Sequence, residues 1–172
     1  YVDALSGGVR EEVVRVGWRD EIVVVLWAVH GWKLGDYDMW CKHTNYEIDM
    51  RVPLIFRSPG MGAAGEATEA LVDLQDLYPT LCALAGIDTP GHVEGESLVP
   101  LLEDAEAGGR PAGYGIWARR SADEPRGFIG YTMRTDRYRY TECRRTHGDA
   151  LLSRLLYDHA TGPLVSENVV DA

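Results

Sequence analysis

The run Ile22-Val23-Val24-Val25-Leu26-Trp27-Ala28-Val29 constrains the fold more than any other feature. It is well short of the roughly 18 residues that a membrane-spanning helix needs. Its β-branched content and its lack of apolar-polar alternation predict a strand buried on both faces. Such strands belong to parallel or mixed sheets flanked by helices. In open α/β sheets, ligands sit beyond the carboxyl ends of strands. His30-Gly31-Trp32 follows the run directly, so His30 is a candidate site residue on physical grounds alone.

Residues 5–18 place Leu5, Val9, Val13, Val14 and Val16 at helical spacing, with Arg10, Glu11, Glu12 and Arg15 between them. This predicts a helix with one inner face and a stop at Gly17. Residues 31–50 show no period and are rich in Gly, Asp, His, Lys, Asn and Trp, as in a long functional loop with a turn of helix. Val52 to Phe56 reads as a second strand, closed by Ser58-Pro59-Gly60. Thr68 to Leu84 carries leucines at intervals of three and four, with Gly86 as its stop. Pro79 is expected to kink or split that helix. Gly108, Gly109, Pro111 and Gly113 mark a boundary, giving expected domains 1–107 and 108–172. Beyond it, Tyr114–Ala118, Gly127–Arg134, Tyr138–Cys143 and Leu152–Asp158 read as an antiparallel meander.

Charge and cysteine content narrow the function classes. The 172 residues carry a formal charge of −10, which repels phosphate backbones and argues against a nucleic-acid partner. Cys41, Cys82 and Cys143 form no CxxC pair, so a zinc site is not expected. One disulfide with a free thiol and three reduced thiols both stay open. The chain opens Tyr1-Val2-Asp3 with neither a signal peptide nor an initiator Met, and we expect it to be a piece of a longer protein.

Three features carry polar chemistry: His30, the pair Lys42-His43 on the same loop, and the basic-aromatic stretch Tyr131 to Tyr140. Each has an ordinary structural reading beside the functional one. His30 reads as a hydrogen-bonded core histidine and Lys42 as a solvated loop lysine. The stretch reads as a hairpin with aromatics inward and arginines outward.

Several separated motifs together resemble the sulfatase family, in its iduronate-2-sulfatase-like branch. They are the strand with His30-Gly31-Trp32-Lys33-Leu34-Gly35, then Met39-Trp40-Cys41-Lys42-His43-Thr44-Asn45-Tyr46-Glu47, then Arg51-Val52-Pro53-Leu54-Ile55. Val72 to Leu81, Glu94-Gly95-Glu96-Ser97-Leu98, Gly130 to Tyr140 and Leu156-Tyr157-Asp158 continue the match in order. The resemblance implies the carboxyl-terminal part of an alkaline-phosphatase-like α/β fold, a mixed sheet with flanking helices, followed by a small antiparallel α+β subdomain. It implies hydrolysis of sulfate esters on a sulfated small molecule or glycan, by a formylglycine nucleophile and a calcium ion. By family position, His30 stands at the metal and the leaving group, and Lys42 contacts the sulfate or protonates the leaving oxygen. Trp40 and His43 shape the substrate pocket. Relatives are commonly secreted, periplasmic or lysosomal, and nothing in this sequence supplies an address.

Two departures qualify what is implied. The family's metal-ligating Asp before His30 is replaced by Val29, which removes a hard oxygen donor and should weaken calcium binding. No Cys/Ser-x-Pro-x-Arg segment occurs, so the formylglycine would lie in a missing amino-terminal portion of the same protein. A phosphonate or phosphate monoester hydrolase of the same superfamily, and a degenerate non-catalytic paralogue, are the alternatives.

Overall fold

The computed structural model describes residues 1–120 and 125–171. They form two compact units, each discontinuous in sequence. The first comprises Tyr1–Trp27, Leu54–Thr68 and Gln75–Ala107, the second Ala28–Pro53, Glu69–Leu74 and Gly108–Ala172. Residues 28–53 and 69–74 belong to the second unit together with 108–172.

In the first unit, helix α1 spans Val2–Arg15. Gly17, at φ +82°, reverses the chain. Its N–H donates to Val14 O at 3.1 Å, and Trp18 N–H donates to Val13 O at 3.0 Å, which completes a Schellman stop. The expected inner face is not covered, and Leu5, Val9 and Val14 are exposed. Strand β1 covers Val24–Trp27. Its partner, the later strand β4 at Leu54–Arg57, runs antiparallel in the register Val24↔Arg57 to Trp27↔Leu54. The expected burial on both faces is not met among the described residues, since Val24, Leu26, Trp27 and Ile55 are exposed on this two-stranded ladder.

The second unit holds the polar loop. Strands β2 (Lys33–Leu34) and β3 (Trp40–Cys41) pair antiparallel, and the short helix α2 covers Glu47–Met50. The loop expected from composition is therefore a small hairpin followed by a helical turn.

The expected helix 68–84 is shorter than its leucine spacing suggests. Helix α3 spans only Leu77–Leu84 in the first unit, preceded by a 3-10 turn at Leu74–Asp76. Pro79 neither kinks nor splits it. It occupies the third helical position, where a backbone N–H has no intrahelical acceptor in any case. Leu71 is withheld from the helix because its carbonyl accepts from Arg110 N–H at 3.1 Å within the second unit. Gly86, at φ +66°, closes α3 with a second Schellman stop, Ile87 N–H donating to Cys82 O at 2.9 Å.

Thr80 and Asp76 anchor the segment leading to helix α4 (Val99–Glu103). Leu98 N–H donates to Thr80 Oγ1 and Glu96 N–H to Asp76 Oδ1, both at 2.8 Å.

The meander is observed as expected. Strands β5 (Gly113–Arg119), β6 (Phe128–Arg134), β7 (Tyr138–Arg145) and β8 (Leu151–Asp158) pair antiparallel in the order β5-β6-β7-β8. A bulge lies between Cys143 and Arg144. Arg137 faces solvent as the amphipathic reading expects, but Arg139 does the reverse. Arg139 is 4% exposed, whereas Tyr131 and Tyr138 face solvent. The reason is the carboxylate of Glu47 on α2. Its Oε2 accepts from Arg139 Nε at 3.0 Å, Arg139 Nη2 at 2.7 Å and Arg134 Nε at 3.1 Å.

Cys41, Cys82 and Cys143 are all free thiols, which closes the disulfide alternative. No helix among the described residues is long and apolar enough to cross a membrane.

Candidate functional site: an ammonium-imidazole pair on a strained hairpin

Backbone contacts fix His30 first. Ala28 N–H donates to Pro53 O at 3.3 Å, and Gly31 N–H donates to Asp49 O at 2.8 Å. Gly31 is obligatory here, because a Cβ at this position would lie 1.7 Å from Ile48 O. Gly31→Ala is therefore expected to push residues 30–32 away from α2. The consequence is a thermal midpoint several degrees below that of the parent. An unchanged midpoint would show that this backbone approach is not required.

The His30 ring spans two partners. Its Nδ1 lies 2.8 Å from Gly31 O and its Nε2 lies 2.8 Å from Lys42 Nζ. A carbonyl only accepts and an ammonium only donates, so the proton is assigned to Nδ1 and the lone pair to Nε2. One Lys42 N–H is thereby committed to the imidazole. The others are available to an anion, since an ammonium carries three donors.

The hairpin that brings Lys42 back to His30 has a costly backbone. Tyr37 and Asp38 (both φ +55°), Cys41 (φ +69°) and His43 (φ +80°) occupy the left-handed region without being glycine. Each such residue costs about 1 kcal/mol or more, and strain of this kind collects at functional loops.

The other two expected site residues are placed differently. Trp40 is largely exposed on β3, its backbone paired with Leu34. The His43 ring stacks on Trp117 with centroids 4.5 Å apart and planes at 18°. His30 and Lys42 are brought together, and His43 is held against the sheet. Trp32, half exposed, tilts toward the His30 ring at 6.2 Å.

Sequence reasoning missed the charged groups that support this loop. Lys33 is wholly buried and paired with buried Asp49. Glu47, Arg134 and Arg139 form the second buried cluster. A signal for the second existed. In a tight hairpin around Thr135-Asp136, Arg134 and Arg139 fall directly opposite each other. Like charges so placed are destabilising without an anion between them.

The residues present do not by themselves fit a calcium ion. Among the described residues, no group of three His, Cys, Asp or Glu side chains could hold a metal. Val29 offers no side-chain donor beside His30.

The chain is similar in sequence to proteins of one family. The family model described as N-sulphoglucosamine sulphohydrolase, C-terminal, matches residues 35–172. A protein named sulfatase from Formosa agariphila is 28% identical over 163 residues, covering 95% of this chain and 29% of that protein. Human iduronate 2-sulfatase is 27% identical over 214 residues, covering 93% of this chain and 39% of its own length.

Among solved structures, one in complex with its substrate D-glucosamine-2-N,6-O-disulfate aligns with TM-score 0.81 at 26% identity, over 96% of this chain and 33% of that one. The phosphonate monoester hydrolase of Agrobacterium radiobacter aligns with TM-score 0.83 at 29% identity, over 99% of this chain and 35% of that one. The chain thus spans between about three tenths and two fifths of the lengths of these relatives. The alkaline-phosphatase-like α/β reading of the fold agrees with these alignments. On the family match, which covers most of its length, the chain belongs to the sulfatases, in the carboxyl-terminal family of N-sulphoglucosamine sulphohydrolase.

Proposed function

We propose that this chain supplies the anion-recognising, proton-donating part of a sulfate ester hydrolase acting on a sulfated sugar. The observation that carries this reading is the 2.8 Å contact between Lys42 Nζ and His30 Nε2 on a strained hairpin of a sulfatase-family chain. A sulfate monoester presents negative charge that repels an incoming nucleophile. The Lys42 ammonium offsets that charge and can donate its hydrogen bonds to the sulfonate oxygens. When the ester bond breaks, the departing sugar oxygen needs a proton. The proton is held at Lys42 Nζ, and the His30 lone pair keeps the ammonium pointed in one direction. Trp40 and Trp32 offer exposed aromatic faces against which a sugar ring can pack.

The sugar assignment is supported by the relatives. One aligned structure holds a disulfated glucosamine as its substrate. A protein named N-acetylglucosamine-6-O-sulfatase, from Bacteroides thetaiotaomicron, is 32% identical over 103 residues, or 60% of this chain and 18% of that protein. Formylglycine, when present, supplies the attacking oxygen in this proposal. This chain holds no Cys/Ser-x-Pro-x-Arg segment that would carry it. Calcium likewise remains proposed for the intact protein, weakened by Val29.

A second reading, a phosphonate monoester hydrolase, is favoured by the alignment at TM-score 0.83 over 99% of the chain. The same cationic pair would neutralise a phosphonate ester. Turnover of sulfated glucosamines, an aryl sulfate and a phosphonate monoester by the intact protein separates the two. We expect sulfate esters to be preferred, and the 172-residue chain alone to show no turnover. Preference for the phosphonate would replace the first reading with the second, and clear sulfatase activity of the chain alone would show that the nucleophile has been misplaced.

A further inference from the structure

Asp49 holds both arms of the hairpin that carries the ammonium-imidazole pair. Its side chain is 3% exposed and that of Lys33 is fully buried, and the two form an ion pair. The same carboxylate oxygen accepts from Thr44 N–H at 2.8 Å and from Thr44 Oγ1 at 2.5 Å. Lys33 Nζ lies 3.3 Å from Thr44 Oγ1. The Asp49 backbone carbonyl accepts from Gly31 N–H. Gly31 and Lys33 belong to the incoming arm, Thr44 to the outgoing one. His30 lies one residue before Gly31, and Lys42 lies two before Thr44.

The energetics favour a positioning role over a contribution to stability. A buried ion pair adds little net stability compared with apolar residues of similar volume. An apolar residue at position 49, however, offers no acceptor to Thr44 and no tie to Lys33. The left-handed backbone at Cys41 and His43 persists only where its surroundings over-determine it. The carboxylate provides that determination between the two arms.

We propose that Asp49, neutralised by Lys33, is a positioning residue that sets the distance between His30 and Lys42. Its catalytic consequence rests on the anion-site reading above, while its structural consequence does not.

The test uses the intact protein with 15N-labelled histidine, the His30 signals being assigned by their loss in His30→Gln. The parent should show one neutral tautomer for His30, with the proton on Nδ1. The double variant Lys33→Met/Asp49→Asn removes both buried charges yet leaves an acceptor for Thr44 N–H. It is expected to lose the single-tautomer signature and to average between tautomers. Amide-exchange protection of β5–β8 should be unchanged, and kcat/KM for a sulfate ester should fall about a hundredfold.

A parent-like His30 signature in the double variant would overturn the proposal. So would loss of sheet protection together with the signature, because that is what a merely structural role produces. A changed signature with an intact sheet, in a parent that neither binds nor cleaves sulfate esters, supports the positioning role and removes the sulfatase reading instead.

Discussion

Replacing Lys42 with methionine is expected to lower kcat/KM for a sulfate ester by about a hundredfold to a thousandfold in the intact protein. That is the loss seen when one preorganised donor to a developing anion is removed. Methionine keeps the length and apolar body of the lysine, so the hairpin should hold its course. The change deletes the ammonium that faces His30 Nε2 at 2.8 Å. His30→Gln should lose less, because it removes the group that aims the ammonium and keeps the charge. The order of the two effects is therefore informative. A Lys42→Met variant with parental kcat/KM would leave the lysine as an ordinary loop residue. A His30 variant far worse than the Lys42 variant would move the central role to the imidazole.

The second large effect concerns stability. Glu47→Ala is expected to cost about 3–5 kcal/mol, measured by urea unfolding at neutral pH, because it strips the counter-charge from a buried guanidinium. Arg139 is nearly buried and Arg134 partly so, and both donate to Glu47 Oε2. Without the carboxylate, two like charges stand opposite each other across β6 and β7. The pair also predicts a pH dependence with a definite sign. Burial by itself would raise the Glu47 carboxyl, but the Arg139 and Arg134 guanidiniums outweigh it and hold the group below its ordinary value of 4.5. A carboxyl depressed by folding stabilises the native state fully above that ordinary value. The contribution fades as pH falls through the lower folded value. The parent should therefore lose stability below about pH 4.5 more steeply than Glu47→Ala does. Parallel pH profiles for the two proteins would show that the cluster is not a stabilising one.

What the sequence made legible was what depends on local chemistry. Gly17 and Gly86 stop their helices because only a left-handed residue closes a Schellman turn cheaply, and both do so. The four strands of the meander follow from turn residues and short β-branched or aromatic runs. His30 and Lys42 were legible as candidates from a strand end and a family resemblance, and the hairpin brings their side chains together.

What stayed hidden depends on partners distant in sequence. Leucine spacing cannot reveal that the Leu71 carbonyl is engaged by Arg110, so the helix over residues 68–84 begins nine residues late, at Leu77. Hydrophobic patterning placed the hairpin arginines outward. The inward direction of Arg139 is set by Glu47, 92 residues earlier. Lys33 looked like one more polar loop residue until Asp49, 16 residues on, gave its charge a reason to be buried. In the last two cases a charge moved inside because its counter-charge was supplied by a different element.

A crystal structure of the intact protein, grown with a sulfate ester analogue, measures the central claim directly. Lys42 Nζ is expected within hydrogen-bond distance of both His30 Nε2 and an oxygen of the bound anion. Lys42 and His30 turned away from one another, with the anion seated elsewhere, would contradict it.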